Sequence, residues 1–129
     1  MLISFTIACS KSSDPEIDRT GNYEGKIETY HNGKLFSTNN NGYFSLLSTS
    51  TKGQVNILNN VIITSKANIS GNTLTIPRTV SVSSQTASLV EYGSGTFSGN
   101  TLTFEFNSEY MDRGTVVMRL KFTGVLIKQ

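Results

Sequence analysis

The sequence predicts an all-β domain: one antiparallel meander closing into a small up-and-down β-barrel of about eight to ten strands, with a β-sandwich as the alternative. Three observations predict it. Apolar residues recur with period two along several segments of the 129-residue chain, the mark of strands with one buried and one wet face. Gly and Asn punctuate those segments at intervals of about ten residues, as hairpin turns require. No stretch after Gly21 carries the 3.6-residue apolar stripe of a surface helix. Composition agrees. Ser, Thr and Asn fill 45 of 129 positions, only 16% of residues are charged and two are proline, which excludes a collagen, a coiled coil and a highly charged disordered chain. With 36% hydrophobic residues, including seven Phe and five Tyr, the chain has material for one modest core and length for one domain.

The first strand reads Tyr23, Gly25, Ile27 and Thr29 inward against Glu24, Lys26, Glu28 and Tyr30 outward. His31-Asn32-Gly33-Lys34 follows, and Asn-Gly is the pair that a type I′ hairpin turn prefers, because both central residues need positive φ. The run Asn39-Asn40-Asn41-Gly42 reads as a loop; it lacks the strand, Lys and helix that a phosphate cradle requires. Phe44 with Leu46, and Val55 with Ile57, mark two strands around a turn at Thr51-Lys52-Gly53. Val61-Ile62-Ile63 is a short apolar run expected either to be buried on both sides or to mark a bulge.

An internal echo fixes the register of the second half. Ile69-Ser70-Gly71-Asn72-Thr73-Leu74-Thr75-Ile76 recurs as Phe97-Ser98-Gly99-Asn100-Thr101-Leu102-Thr103-Phe104, identical at six of eight positions and offset by 28 residues. Each copy places Gly-Asn between apolar residues, the pattern of a hairpin repeated once. Two copies are too few for a solenoid. Between them lie a strand with Val80 and Val82, expected to begin near Pro77, and another with Leu89 and Val90. In the last strand Val116, Met118, Leu120 and Phe122 alternate with Val117, Arg119, Lys121 and Thr123, and Gly124 is expected to insert a bulge or bend.

The residues before Gly21 differ in kind. An apolar run, Leu-Ile-Ser-Phe-Thr-Ile-Ala, ends at Cys9, the chain's one cysteine, so no intramolecular disulfide can form. Thr6-Ile7-Ala8-Cys9 resembles the lipobox of bacterial lipoproteins, and that resemblance implies that the Cys9 thiol is acylated and becomes the new N-terminus. The apolar run is short and lacks a preceding Lys or Arg, so a longer natural signal starting upstream is expected. The Ser/Asp-rich stretch from Ser10 to Thr20 is similar to the spacers of small lipoproteins of the Bacteroidota type and reads as a tether. The expected organisation is a signal-peptide remnant over 1–8, lipidated Cys9 with a flexible tether over 9–20, and the barrel domain over 21–129. The implied address is the cell envelope, with attachment to the outer membrane by the lipid anchor alone and its facing side open.

The barrel reading meets a second resemblance at Gly21-Asn22-Tyr23. A Gly-x-aromatic opening the first strand, a simple meander and a cation on the final strand resemble the lipocalin-like, or calycin, barrels. In that family a Gly-x-Trp near the N-terminus is packed by an Arg near the C-terminus. The matching positions are Tyr23, where Tyr stands for Trp, and Arg119; the resemblance implies that they pair.

An eight-stranded barrel is filled by side chains or holds one small ligand. The inward candidates for lining such a site are Tyr23, Ile27, Phe44, Leu46, Phe104, Phe106, Met118 and Leu120, with Leu102 and Phe122 on the same faces; Phe and Met at such positions are more often plain core, because interiors are close-packed. The expected function is noncovalent binding of a small hydrophobic ligand in or at the mouth of the barrel. The alternative is a ligand-free module that docks an envelope protein or glycan. Enzymatic constellations are wanting. His31 sits beside a turn with no orienter or nucleophile near it in sequence. Glu24 and Glu28 stand about 13 Å apart along one strand, too far for a glycosidase pair. Glu109 and Asp112 suggest an acidic loop without the spacing of a calcium site. No cofactor or metal is expected. The net charge of +2 comes from scattered basic residues, without the clustered basic, aromatic-interleaved stripe of a nucleic-acid binder. Asn68-Ile69-Ser70 spells a glycosylation sequon, without consequence in a bacterial host.

Overall fold

The computed structural model describes residues 17–129; Cys9 and the lipobox-like segment lie outside the described residues. Eight strands run in sequence order: β1 (Gly21–His31), β2 (Lys34–Ser48), β3 (Gln54–Asn59), β4 (Lys66–Ser70), β5 (Thr73–Val82), β6 (Ala87–Ser98), β7 (Thr101–Asp112) and β8 (Thr115–Lys128). Each pairs antiparallel with the next, and β8 returns to β1 to close the barrel. This is an all-β up-and-down meander, consistent with a lipocalin-like barrel.

Turn chemistry follows the sequence closely. Asn32 and Gly33 both take positive φ, 48° and 87°, as a type I′ turn demands, and Arg113-Gly114 repeats the arrangement between β7 and β8. The two echoed segments form the β4–β5 and β6–β7 hairpins. Gly71 and Gly99 hold φ of 60° and 59° at the first central position, which suits a type II′ turn. Both hairpins lie at the end of the barrel where β1 begins and β8 ends, here called the terminal end.

The core is aromatic at its centre. Phe44, Phe104 and Phe106 stand 4.5 to 5.3 Å apart between ring centroids, and Leu46, Leu74, Leu102 and Leu126 are fully buried around them. Rings this large fit a narrow barrel only because glycines face them. Phe104 pairs with Gly95 on β6 and Gly124 on β8, and Phe106 pairs with Gly93. A Cβ on Gly124 would lie 2.4 Å from the Phe104 ring. Gly124 therefore makes no bulge: β8 passes through it in regular register on both sides, and its missing side chain is where the ring goes.

Three further expectations are corrected. Asn39 to Gly42 lie within β2, not in a loop; a register shift opposite Gly25 and Ile27 absorbs the extra residue, and Gly42 leaves room for the Ile27 side chain. Pro77 lies inside β5, which runs unbroken from Thr73, at a register shift between Ile76 and Thr79 where the ladder tolerates a missing N–H. Val61-Ile62-Ile63 is neither strand nor bulge. It belongs to the 60–65 connection between β3 and β4, with Ile62 buried in the core and Ile63 exposed, because side chains rather than a neighbouring strand take its amides.

Candidate functional site

Of the residues expected to line a ligand site, Tyr23, Ile27, Phe44, Leu46, Phe104 and Phe106 are buried together in one cluster. Leu120 is half-buried against that cluster, and Met118 is half-buried further along β8. The centre of the barrel is thus occupied by the chain's own side chains, at the close packing of protein interiors.

Tyr23 and Arg119 do not meet. Tyr23 lies opposite Lys128, nine positions along β8 from Arg119, which is about 30 Å of strand. Arg119 is exposed and pairs instead with Glu109 across β7 and β8, with 3.5 Å between Nε and the carboxylate. The cation near the Tyr23 ring comes from the other side in sequence. The guanidinium of Arg19 lies 4.9 Å from the centroid of Phe97, whose ring is 5.8 Å from that of Tyr23, and the Tyr23 hydroxyl donates to the Arg19 carbonyl at 2.9 Å. The last residues of the expected tether are therefore packed onto the barrel.

That packing builds a concavity. Ile17 to Thr20, the β2–β3 turn and the β4–β5 turn enclose an open cleft of about 890 Å³ at the terminal end. Ile17, Val55 and Ile69 supply apolar surface, and Arg19, Lys52 and Asp18 supply charge. Asp18 is turned to its neighbour: its carboxylate accepts from the Thr20 hydroxyl at 2.6 Å and the Thr20 amide at 2.9 Å. Those two bonds hold its pKa below the ordinary carboxylate value.

Burial raises the Tyr23 phenol above its ordinary pKa, against the pull of Arg19. A raised folded pKa means that stability from this group is complete below the unfolded value near pH 10 and is lost as pH rises through the folded value. Alkaline unfolding of the wild type is thus expected to steepen above about pH 10. In Tyr23→Phe that steepening shrinks, at a cost of about 1 kcal/mol at neutral pH for the lost bond to Arg19. Chemical denaturation at several pH values measures both, and an unchanged alkaline slope in the variant refutes the assignment.

The far end is closed differently. Glu91, 2% exposed, points into the barrel from β6 and gathers four donors: the Thr64 amide at 2.7 Å, the Ile63 amide at 3.0 Å, the Thr64 hydroxyl at 2.6 Å and the Ser108 hydroxyl at 3.3 Å. Asn59 takes the amides of Val61 and Ile62. Together they pin the 60–65 connection across the barrel. A period of two counted from Leu89 puts Glu91 inward, a signal that the adjacent apolar pair Leu89-Val90 obscures. Arg19 had none beyond its nearness to Gly21.

The remaining chemistry is dispersed. His31 is exposed, with its ring edge-on to Phe36 at 6.1 Å. Glu109 and Asp112 form no acidic loop: both lie in β7, where Glu109 accepts from the Tyr92 hydroxyl at 3.0 Å and Asp112 pairs with Arg113. Burial, then the bond to Glu109, raises the Tyr92 pKa. A second groove of about 410 Å³ runs over the outer face of β6, β7, β8 and β1, between Lys26, Glu28 and Glu105. Among the described residues no three His, Cys, Asp or Glu side chains come together as a metal site would require. Comparison with protein families, with characterised proteins and with solved structures finds no match.

Proposed function

We propose that this is an envelope lipoprotein, attached through acylated Cys9 to the outer membrane, that binds a small hydrophobic ligand noncovalently at the terminal end of its barrel and catalyses no reaction. The observation carrying this reading is the 890 Å³ cleft with its Ile17, Val55 and Ile69 surface, which falls in the size range of small-molecule sites. The aromatic cluster fills the centre of the barrel, so the ligand sits beside the core instead of within it. Attachment is supported by the lipobox-like Thr6-Ile7-Ala8-Cys9 and by the Ser/Asp spacer that resembles those of Bacteroidota lipoproteins. Eight positions separate Cys9 from Ile17, so an anchored chain carries the cleft within about 29 Å of its lipid.

Titration with a fluorescent fatty acid tests the ligand reading. Saturable binding is expected, weakened at least tenfold in Ile17→Asp and Thr51→Trp. Both replace exposed side chains on the cleft wall and so leave the thermal midpoint near the wild-type value. Absence of saturable binding, or binding untouched by both variants, overturns it.

A second reading, a module docking an envelope protein or glycan, draws on β2. Residues 34–41 of this strand are exposed, include Leu35 and Phe36, and pair only with β1 among the described residues. Such a strand edge is open to pairing with an added strand.

A further inference from the structure

We propose that Asn41 is a self-modification site: its side chain is attacked by the backbone amide of Gly42 and is converted, through a succinimide, to aspartate and isoaspartate, while Asn32 of the same chain is protected by the fold.

The chain has two Asn-Gly pairs, Asn32-Gly33 and Asn41-Gly42. Both have the local chemistry for ring closure, because a glycine has no Cβ to hinder attack from its nitrogen. Their surroundings differ. Asn32 occupies the type I′ turn between β1 and β2 and is clamped to β8 from two sides: its amide donates to the Arg119 carbonyl at 2.9 Å, and its Oδ1 accepts from the Arg119 amide at 3.0 Å. Bringing its side-chain carbon to the Gly33 nitrogen means breaking the second bond and turning a backbone that the first one holds.

Asn41 has no such clamp. It is exposed, and its side chain makes no hydrogen bond among the described residues. It lies at the register shift opposite Gly25 and Ile27, where β2 carries the extra residue and the ladder is interrupted. Its amide is held by the side chain of Asn39 at 2.8 Å instead of by a strand. β3 joins β2 only from Phe44 onward, and the Tyr43 amide turns to that side, towards Asn60. Alternation along the strand therefore turns the Gly42 amide to β1, so one ladder guards it, and local opening of that ladder releases the nucleophile.

The step balances without a cofactor. The Gly42 nitrogen loses its proton to hydroxide and bonds to Asn41 Cγ; the side-chain nitrogen takes up a proton and leaves as ammonia, closing a five-membered ring. One water then opens the ring at either carbonyl, giving aspartate or, where the main chain now runs through the side-chain carbon, isoaspartate. The second product lengthens the main chain beside Gly42, where Ile27 already fills the space of a side chain. Either product sets a carboxylate on a strand edge that has no charged residue from Leu35 to Tyr43, and charge is one of the ways in which proteins blunt an edge.

Peptide mapping of the full chain, kept in warm, mildly alkaline buffer beside a guanidinium-denatured sample, tests the proposal. Trypsin separates the two pairs into peptides 27–34 and 35–52. Each conversion adds one dalton, and an isoaspartyl methyltransferase marks the isoaspartate. In the denatured chain both pairs are expected to convert at similar rates, since Gly follows Asn in each. In the folded protein the gain in 35–52 is expected to run at least tenfold ahead of that in 27–34, the ratio expected when hydrogen bonds such as those to Arg119 must open first. Asn41→Gln, an exposed change, should remove the gain from 35–52 and leave the thermal midpoint near the wild-type value. Four results overturn the proposal: Asn32 converting as fast as Asn41 in the folded chain; Asn41 staying intact until the denatured sample has converted fully; a gain in 35–52 that survives Asn41→Gln; or conversion at Asn41 without isoaspartate, which would mean direct hydrolysis of the side chain.

Discussion

Phe104→Ala is expected to destabilise the protein by about 3–5 kcal/mol, the usual loss for deleting a buried Phe from a close-packed core. For a domain of about 113 residues that corresponds to a fall of roughly 12–20 °C in Tm. Phe104 is singled out because its ring touches both other members of the central cluster, at 5.0 Å from Phe44 and 4.5 Å from Phe106, and covers two glycines. The two glycines beside it, Gly95 and Gly124, have no side chain to move into the space. The companion change is Gly124→Ala. Its new methyl would stand 2.4 and 2.6 Å from two atoms of the Phe104 ring, and such overpacking costs about 1–3 kcal/mol. In the double variant the methyl enters the volume that the ring has vacated, so the two costs should not add. A coupling of about 1–3 kcal/mol in the double-mutant cycle, read from urea denaturation, is the expected result. Simple additivity would show that ring and glycine do not share one site.

The same pair shows how far the sequence could be read. Period two placed Phe44, Phe104 and Phe106 inward, and the echoed Ser-Gly-Asn-Thr segments located two hairpins, because side-chain alternation and turn chemistry are local properties. Gly124 read as a bulge since a strand glycine has two physical meanings, a break in the ladder or space for a neighbour, and only the ring on the adjacent strand decides between them. Asn39-Asn40-Asn41-Gly42 read as a loop for a similar reason. Its residues have poor strand propensity, and β1 supplies the ladder that overrides it. The terminal cleft was not legible at all. It needs the segment before the first strand to fold back so that Arg19 meets Phe97, 78 positions away in sequence. A cation on the last strand fits the calycin pattern and points to Arg119 as the partner of Tyr23, yet the pairing of β1 with β8 places Lys128, not Arg119, opposite Tyr23.

Glu91→Leu is the second large effect, and magnitudes decide its form. The substitution keeps the volume but removes the acceptor of two backbone amides and two hydroxyls. If the 60–65 connection stayed docked, the orphaned Ile63 and Thr64 amides alone would cost about 2–6 kcal/mol, at 1–3 kcal/mol for each buried unsatisfied donor. Undocking it exposes Ile62, a loss of about 1.5–3 kcal/mol for one aliphatic side chain, and returns every donor to water. The cheaper course is release. The variant should keep its barrel, lose about 2–3 kcal/mol, and show fast hydrogen exchange at Ile63 and Thr64, while amides of β7 and β8 remain protected. Glu91→Gln, which retains one carbonyl acceptor and the shape, should leave the connection largely docked with slower exchange at both positions. Protection of Ile63 and Thr64 that survives Glu91→Leu would mean that Asn59 and the burial of Ile62 hold the connection by themselves, and that the carboxylate at the far end of the barrel is not its latch.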